Sequence, residues 1–274
     1  MRRIIWISSY PKSGNTWMRA FLANYVLDRR DPLSINELGA FTLSDTRPRF
    51  YQEAAGKAIT EITEAESLSL RGRAQELIAA ARPHDHFVKT HCLNGFHQGV
   101  RLIYPEVTKG AICITRNPKD LVSSYAGHFN LTIDQAIDAM ADPGNSTIDV
   151  EHRVFTLLGT WSDHVRSWRD GTEFPMIMVR YEDLLTQPQA AFKSVVQTLG
   201  LPFDPERLRR AISFSSFQEL SAQEARIGFT ERPPHSERFF REGKAGAWES
   251  VLSETQIAKV VKDHGEIMGS LGYL

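Results

Sequence analysis

Three short apolar runs punctuate the chain, and each leads straight into a polar stretch. They are Ile-Ile-Trp-Ile at 4–7, Ala-Ile-Cys-Ile-Thr at 111–115 and Met-Ile-Met-Val at 176–179. Rich in β-branched and aromatic residues and without polar alternation, they predict strands covered on both faces, as in a parallel sheet. Elsewhere the apolar period lengthens to that of a helix. Trp17, Phe21 and Tyr25, with Met18, Leu22 and Val26 one position round, form a stripe that predicts a helix starting at Trp17 with Thr16 as its cap. Phe155, Leu158, Trp161, Val165 and Trp168 predict another, packed on the sheet with both tryptophans in the core. Helices are also expected over 188–199 and 205–212, and two or so among the loops of 29–83. This order of elements predicts a single-domain α/β fold over 1–274. Its centre is a mostly parallel β-sheet flanked by helices, with ligands at the carboxyl ends of the strands.

The polar stretch after the first run is Ser9-Tyr10-Pro11-Lys12-Ser13-Gly14-Asn15-Thr16. Pro11 and Gly14 mark a tight turn, so free backbone N–H groups face a helix start while Lys12, Ser13 and Thr16 add a charge and two hydroxyls. Such a loop binds phosphate or sulfate oxygens. It is not the Gly-x-x-x-x-Gly-Lys-Ser/Thr loop, because Lys12 precedes the only glycine. After the second run comes Arg116-Asn117-Pro118-Lys119-Asp120, with Asn117 as N-cap, Pro118 at the first helical position and Asp120 at the third. Arg116 thus leaves a strand beside a helix N-terminus, where a guanidinium can bind phosphate at two points. Phe-Val-Lys-Thr-His at 87–91, read as extended chain, puts Lys89 and His91 on one face about 6–7 Å apart and His86 and Thr90 on the other. The opposed directions of His86 and His91 argue against a metal cluster with His84 and Asp85.

Tyr-Pro-Lys-Ser-Gly-Asn-Thr-Trp at 10–17 resembles the 5′-phosphosulfate loop of the sulfotransferases that use 3′-phosphoadenosine 5′-phosphosulfate (PAPS), with Asn15 in place of the commoner threonine. The segment from Arg116 is similar to their 3′-phosphate segment, which pairs an arginine with a serine eight residues later, here Ser124. Lys-Thr-His at 89–91 resembles their catalytic histidine motif. The resemblance implies a cytosolic-type enzyme, expected to be a bacterial member, with PAPS as sulfuryl donor, PAP as product and no metal requirement. It further implies a small-molecule acceptor that offers a hydroxyl or an amine.

Residue by residue, the resemblance implies His91 as general base, Lys12 at the departing phosphate oxygen, Lys89 at the sulfonate oxygens and Ser124 as a restraint on Lys12. The cofactor contacts it implies are Lys12, Ser13, Gly14, Asn15, Thr16, Trp17, Arg116 and Ser124. Tyr181 of Tyr-Glu-Asp-Leu, and Ser215 and Phe217 of a short adenine-contacting turn, would approach the base. Arg241 and Gly243 would wrap the 3′-phosphate, although Glu242 stands where the family has lysine and sets an acid beside a phosphate, with Lys244 as a substitute charge. Residues 29–83 and 130–150 fall where the family builds its acceptor side, which makes Phe41, Phe50 and Tyr51 candidates for pocket walls or for core. Residues 225–248 read as a mobile loop covering the cofactor. The family's dimer motif is not recognisable after Trp248, so a homodimer stays open.

Composition narrows the partners. A formal net charge of −1 over 274 residues leaves no global basic field, which argues against nucleic acid and membrane surfaces; any anion site must be built locally. Cys92 and Cys113 read as small core residues in a reducing compartment, with a single bridge between them left open. No apolar run reaches the length of a signal-peptide core or a membrane span, so a cytoplasmic location is expected. Two other classes stay in view: an ATP- and magnesium-dependent kinase of P-loop-like fold, and a nucleotide-binding module without catalysis.

Overall fold

Strand burial organises the architecture seen in the computed structural model, which describes residues 3–148 and 154–274. Ile4–Ser9 is buried along its whole length and lies at the centre of a five-stranded sheet. The sheet runs Leu43–Ser44, His86–Thr90, Ile4–Ser9, Thr108–Thr115 and Met176–Arg180, and every neighbouring pair is parallel. All five carboxyl ends therefore open onto one edge, where the polar stretches gather.

Alternation along the central strand divides the core into two layers. Ile5 and Ile7 pack with Met18, Phe21 and Leu22 of the helix Asn15–Leu27, and with Phe192, Val195 and Leu208 of the helices Pro188–Thr198 and Pro205–Phe214. Ile4 and Trp6 face the other way, toward Phe50 and Tyr51 of Pro48–Ala55, Ile78 of Arg71–Ala80 and Trp168 of Trp161–Asp170. Trp6 is fully buried and donates from Nε1 to Thr108 Oγ1 at 2.9 Å, so its bulk enters the core without an orphaned N–H. Burying such a side chain contributes on the order of 2–3 kcal/mol.

Several local expectations need correction. Thr16 does not cap the first helix: the helix begins at Asn15, and its N-cap is Gly14 at φ 109°, a conformation that leaves no cap for a side chain to make. Phe155 and Leu158 do not belong to the Trp161 helix. Phe155–Leu157 is a strand paired with Ser146–Ile148, Gly159 turns at φ 65°, and the helix starts at Trp161 under a Thr160 cap. Phe155 fills a separate cluster with Leu68, Cys92, Leu102 and Leu157, while Leu158 packs with Trp161 and Val165 from outside their helix. Both tryptophans are core, as expected.

Residues 29–83 hold four α-helices rather than two or so: Leu38–Phe41, Pro48–Ala55, Glu64–Ser69 and Arg71–Ala80. Phe50 and Tyr51 are core, and Phe41 packs on Phe87, so none of the three is a pocket wall. Within 130–150 lie the helix Ile133–Met140 and the strand Ser146–Ile148, while 149 and 150 fall outside the described residues. Cys92 and Cys113 are unbridged and buried in different clusters.

Candidate active site

The loop after the central strand is set by backbone geometry. Lys12 has φ 70°, rare for a residue with a Cβ, and Ser13 N donates to Tyr10 O at 3.2 Å. Gly14 adds a second left-handed position, and a Cβ there would meet Tyr181 Cδ2 at 2.8 Å. Asn15 ties the loop down, its Nδ2 donating to Ile7 O at 2.9 Å. The helix behind the loop has no acidic residue in its first turn, so its N-terminal N–H groups and dipole are left for an anion. Thr16 and Trp17 face the same cavity as Lys12 and Asn15. Ser13 does not line it: its side chain is wholly buried, and its Oγ finds no partner among the described residues.

A cavity of about 790 Å³ runs along this edge of the sheet. Arg116 leaves the Thr108–Thr115 strand and lies over the Tyr181 ring at 4.5 Å, with Nη2 donating to Lys244 O at 3.2 Å. Its Nε has no partner among the described residues. Asn117 caps the helix Pro118–Phe129 as expected, accepting from Lys119 N, and that helix carries Ser124 to the cavity. Tyr181 packs edge-on against Trp17, with ring centroids 5.4 Å apart. Phe217 lies against Gly243, where a Cβ would come within 2.2 Å of the ring; with φ 61°, that position has room only for glycine. Arg241 lines the cavity and reaches Ser123 O at 3.4 Å. The unexpected acid, Glu242, is paired with Lys244 at 3.5 Å, so the substitute charge falls on the acid itself.

Ser215 is not part of this edge. It is fully buried and its Oγ donates to Ala211 O at 2.8 Å, closing the helix Pro205–Phe214. The segment 225–248, read as a loop for want of an apolar period, begins in the helix Phe217–Ile227 and is tied down beyond it. Phe229 stacks on Phe240 and both meet Phe239 edge-on, and Glu224 accepts from the N–H groups of Phe239 and Phe240. Phe239 also receives Lys12: the ammonium sits 3.8 Å from the ring centroid, where Ser124 had been the expected restraint. Burial, then the charges of Arg241 and Arg116, push Lys12 down to about 8.

Lys89 and His91 share the cavity, as the alternation predicts; Thr90 also borders it, but its hydroxyl is turned to Asp45. Thr90 Oγ1 donates to Asp45 Oδ2 at 2.8 Å, and the same oxygen accepts from Arg71 at 2.8 Å; both charged side chains are almost fully buried. Arg71 spends its other donors on the Leu102 and Phe155 carbonyls. This satisfied network braces the residue between the two cavity-facing side chains. His91 Nδ1 lies 2.8 Å from the Ser9 carbonyl, which can only accept, so Nδ1 carries the proton and Nε2 keeps its lone pair. Burial first, then the Lys89 charge, push His91 down to about 3, and the ring is neutral at ordinary pH.

Three charged residues of this site were not found from the sequence. Glu231 accepts from Lys89 at 3.1 Å and from both terminal nitrogens of Arg19 at 2.8 Å. Burial acts to raise Glu231, but Lys89 and Arg19 outweigh it and hold the acid at about 2. Arg19 is 1% exposed; the one available hint was a charge inside an otherwise apolar helix. Glu231 sits 212 residues away in a charge-rich loop, and nothing local distinguishes it from its neighbours. Asp45 was missed in the same way.

Comparison with known proteins fits this geometry. A family model described as "Sulfotransferase domain" matches residues 2–272. Flavonol 3-sulfotransferase of Flaveria bidentis is 25% identical over 285 residues, covering 98% of this chain and 82% of that protein. Cytosolic sulfotransferase 12 of Arabidopsis thaliana is 26% identical over 255 residues, covering 89% and 71%. The fold is shared with retinol dehydratase in a complex with retinol and PAP, at TM-score 0.66 and 19% identity over 98% of this chain and 82% of that one. It is shared also with mouse sulfotransferase SULT7A1 complexed with PAP, at TM-score 0.62 and 20% identity over 97% and 84%. With the family model spanning nearly its whole length, the chain belongs to the sulfotransferase family.

Proposed function

We propose that the protein transfers the sulfuryl group of PAPS to a hydroxyl or amine of a small-molecule acceptor, with His91 as general base, as a cytosolic-type enzyme of the cytoplasm. The observation that carries this reading is the placement of His91: its Nδ1 is spent on the Ser9 carbonyl, burial and Lys89 push its pKa down, and it stands in a cavity lined by Lys12, Lys89 and Arg116. The cavity suits a multiply anionic nucleotide. Lys12 and Arg116 lie over aromatic faces rather than against carboxylates, and Arg116 Nε and Trp17 Nε1 are polar atoms without partners among the described residues. Relatives of the same fold hold PAP, and one holds retinol, which supports a nucleotide donor and a small acceptor.

PAPS, when bound, supplies an activated sulfuryl group whose transfer leaves PAP. Lys12, the N–H groups of Gly14 to Thr16 and the Thr16 hydroxyl would hold its 5′ end; Arg116, Ser124, Arg241 and the Gly243 backbone would hold the 3′-phosphate; Trp17, Tyr181 and Phe217 would enclose the base. His91 Nε2 takes the acceptor's proton. Lys12, released from Phe239, neutralises charge at the departing phosphate oxygen, and Lys89 holds sulfonate oxygens. A sulfuryl group bears less negative charge than a phosphoryl group, so by analogy with loose phosphoryl transfer these cations serve without magnesium. Incubation with PAPS and a panel of phenols, alcohols and amines in excess EDTA should yield sulfated product. Transfer that required ATP and magnesium and ignored PAPS would sink the reading in favour of a kinase.

A further inference from the structure

The acceptor end of the cavity holds a cation that has no counter-ion among the described residues. Arg47 lies in the turn after the Leu43–Ser44 strand, its N–H donating to Ser44 O at 3.3 Å, and it lines the same cavity as Lys89 and His91. Ser44 stands opposite Lys89 in the parallel register. One interstrand step and one turn therefore put the Arg47 and Lys89 backbones within roughly 12 Å of each other. The Arg47 side chain is half-buried, yet among the described residues the acids that line this cavity are already engaged. Asp45 belongs to Arg71 and Thr90, Glu231 to Arg19 and Lys89, and Glu242 to Lys244.

What surrounds Arg47 is positive charge. Burial, then Arg49, push its pKa below the ordinary arginine value; burial, Arg47 and Arg49 do the same to Arg82. Arg49 lies over the Phe50 ring and Arg82 donates to the Phe41 and Ala40 carbonyls, so neither brings a carboxylate to the group. Taking a guanidinium partly out of water beside like charges is costly unless an anion returns the interaction. The same cavity is also lined by the hydroxyl side chains of Ser44, Thr46, Thr147 and Thr156, with Val154 and Phe129.

We propose that the acceptor is acidic: besides the hydroxyl or amine that receives the sulfuryl group, it carries a carboxylate or sulfonate-type oxyanion that Arg47 binds. This rests on the sulfotransferase reading and names the substrate class of the same site. The test uses matched probes with PAPS as donor, 4-hydroxycinnamate against its methyl ester and 4-hydroxybenzenesulfonate against the corresponding sulfonamide. The two pairs separate carboxylate from sulfonate chemistry. PAP binding is measured in parallel to report the donor site. The acid-to-neutral ratio of kcat/KM should exceed about ten in at least one pair, fall about tenfold or more in Arg47→Gln, and recover in part in Arg47→Lys. A ratio at or below one in both pairs, a ratio unchanged in Arg47→Gln, or no turnover of any probe by protein that binds PAP would each overturn the proposal. Failure of the wild-type protein to bind PAP would instead sink the sulfotransferase reading, and the acidic acceptor with it.

Discussion

The two halves of the cavity treat their cations differently. On the donor side Lys12 lies over Phe239 and Arg116 over Tyr181, while backbone carbonyls accept from Nη2 of Arg116 and Nη2 of Arg241. A ring face and a carbonyl stabilise a cation without cancelling its charge, so this half stays electropositive. On the catalytic side Lys89 and Arg19 share the Glu231 carboxylate, and Asp45 answers Arg71. There each of these cations has a carboxylate partner, with Lys89 and Arg19 sharing one, and the neutral His91 sits beside them. The contrast separates two tasks: uncompensated cations create affinity for a polyanion, and compensated ones hold a histidine and its neighbours in place.

The largest effect should come from the catalytic half. His91→Ala should lower sulfuryl transfer by about 10²–10⁴-fold and leave the PAP dissociation constant within about twofold, read from turnover and calorimetry on one preparation. Equal loss of both would erase the division between the halves. On the donor side the pattern should invert. Arg116→Ala should weaken PAP by about 10–100-fold, the equivalent of roughly 1.5–3 kcal/mol for a charge-assisted contact.

Glu231→Gln sharpens the comparison, because it converts the compensated half into an uncompensated one. With Arg19 buried behind it, the variant should lose about 1–3 kcal/mol of stability by chemical denaturation. The sign with pH follows from the depressed carboxyl. Its contribution is full above the unfolded value near 4.3 and is lost as pH falls toward the folded value of about 2, so the acid limb of wild-type stability between these pH values should flatten in Glu231→Gln.

A smaller signal is proton uptake. Lys12 at about 8 is mostly neutral at pH 9 in the free protein, and a bound polyanion raises its pKa. PAP binding at pH 9 should therefore take up close to one proton, and at pH 6.5 this lysine should take up none. Titrations in buffers of different ionisation enthalpy measure this, and Lys12→Met should abolish the uptake at pH 9. Least of all, Ser215→Ala should leave PAP affinity unchanged, because its hydroxyl only closes a helix.

What the sequence made legible follows from range. The strand, loop and helix around Lys12, the cap at Asn117 and the shared face of Lys89 and His91 depend on neighbours within a few positions, where period and turn chemistry decide. Thr16 as cap failed at that same scale, because Gly14 at φ 109° had already turned the chain. The stripe from Phe155 failed because an apolar period does not say which cluster the side chains enter. Glu231 against Arg19 and Phe239 against Lys12 join residues more than 200 positions apart, and no local pattern announces such pairs. Ser215 shows the reverse error, a matching residue type in a short motif that the fold turned inward.

The most direct test of the central claim is a calorimetric titration of the protein with PAP, repeated with ATP and magnesium. The uncompensated donor half predicts saturable PAP binding, at least about tenfold tighter than ATP and weakened by added salt. Saturable ATP binding with no detectable PAP binding would contradict it.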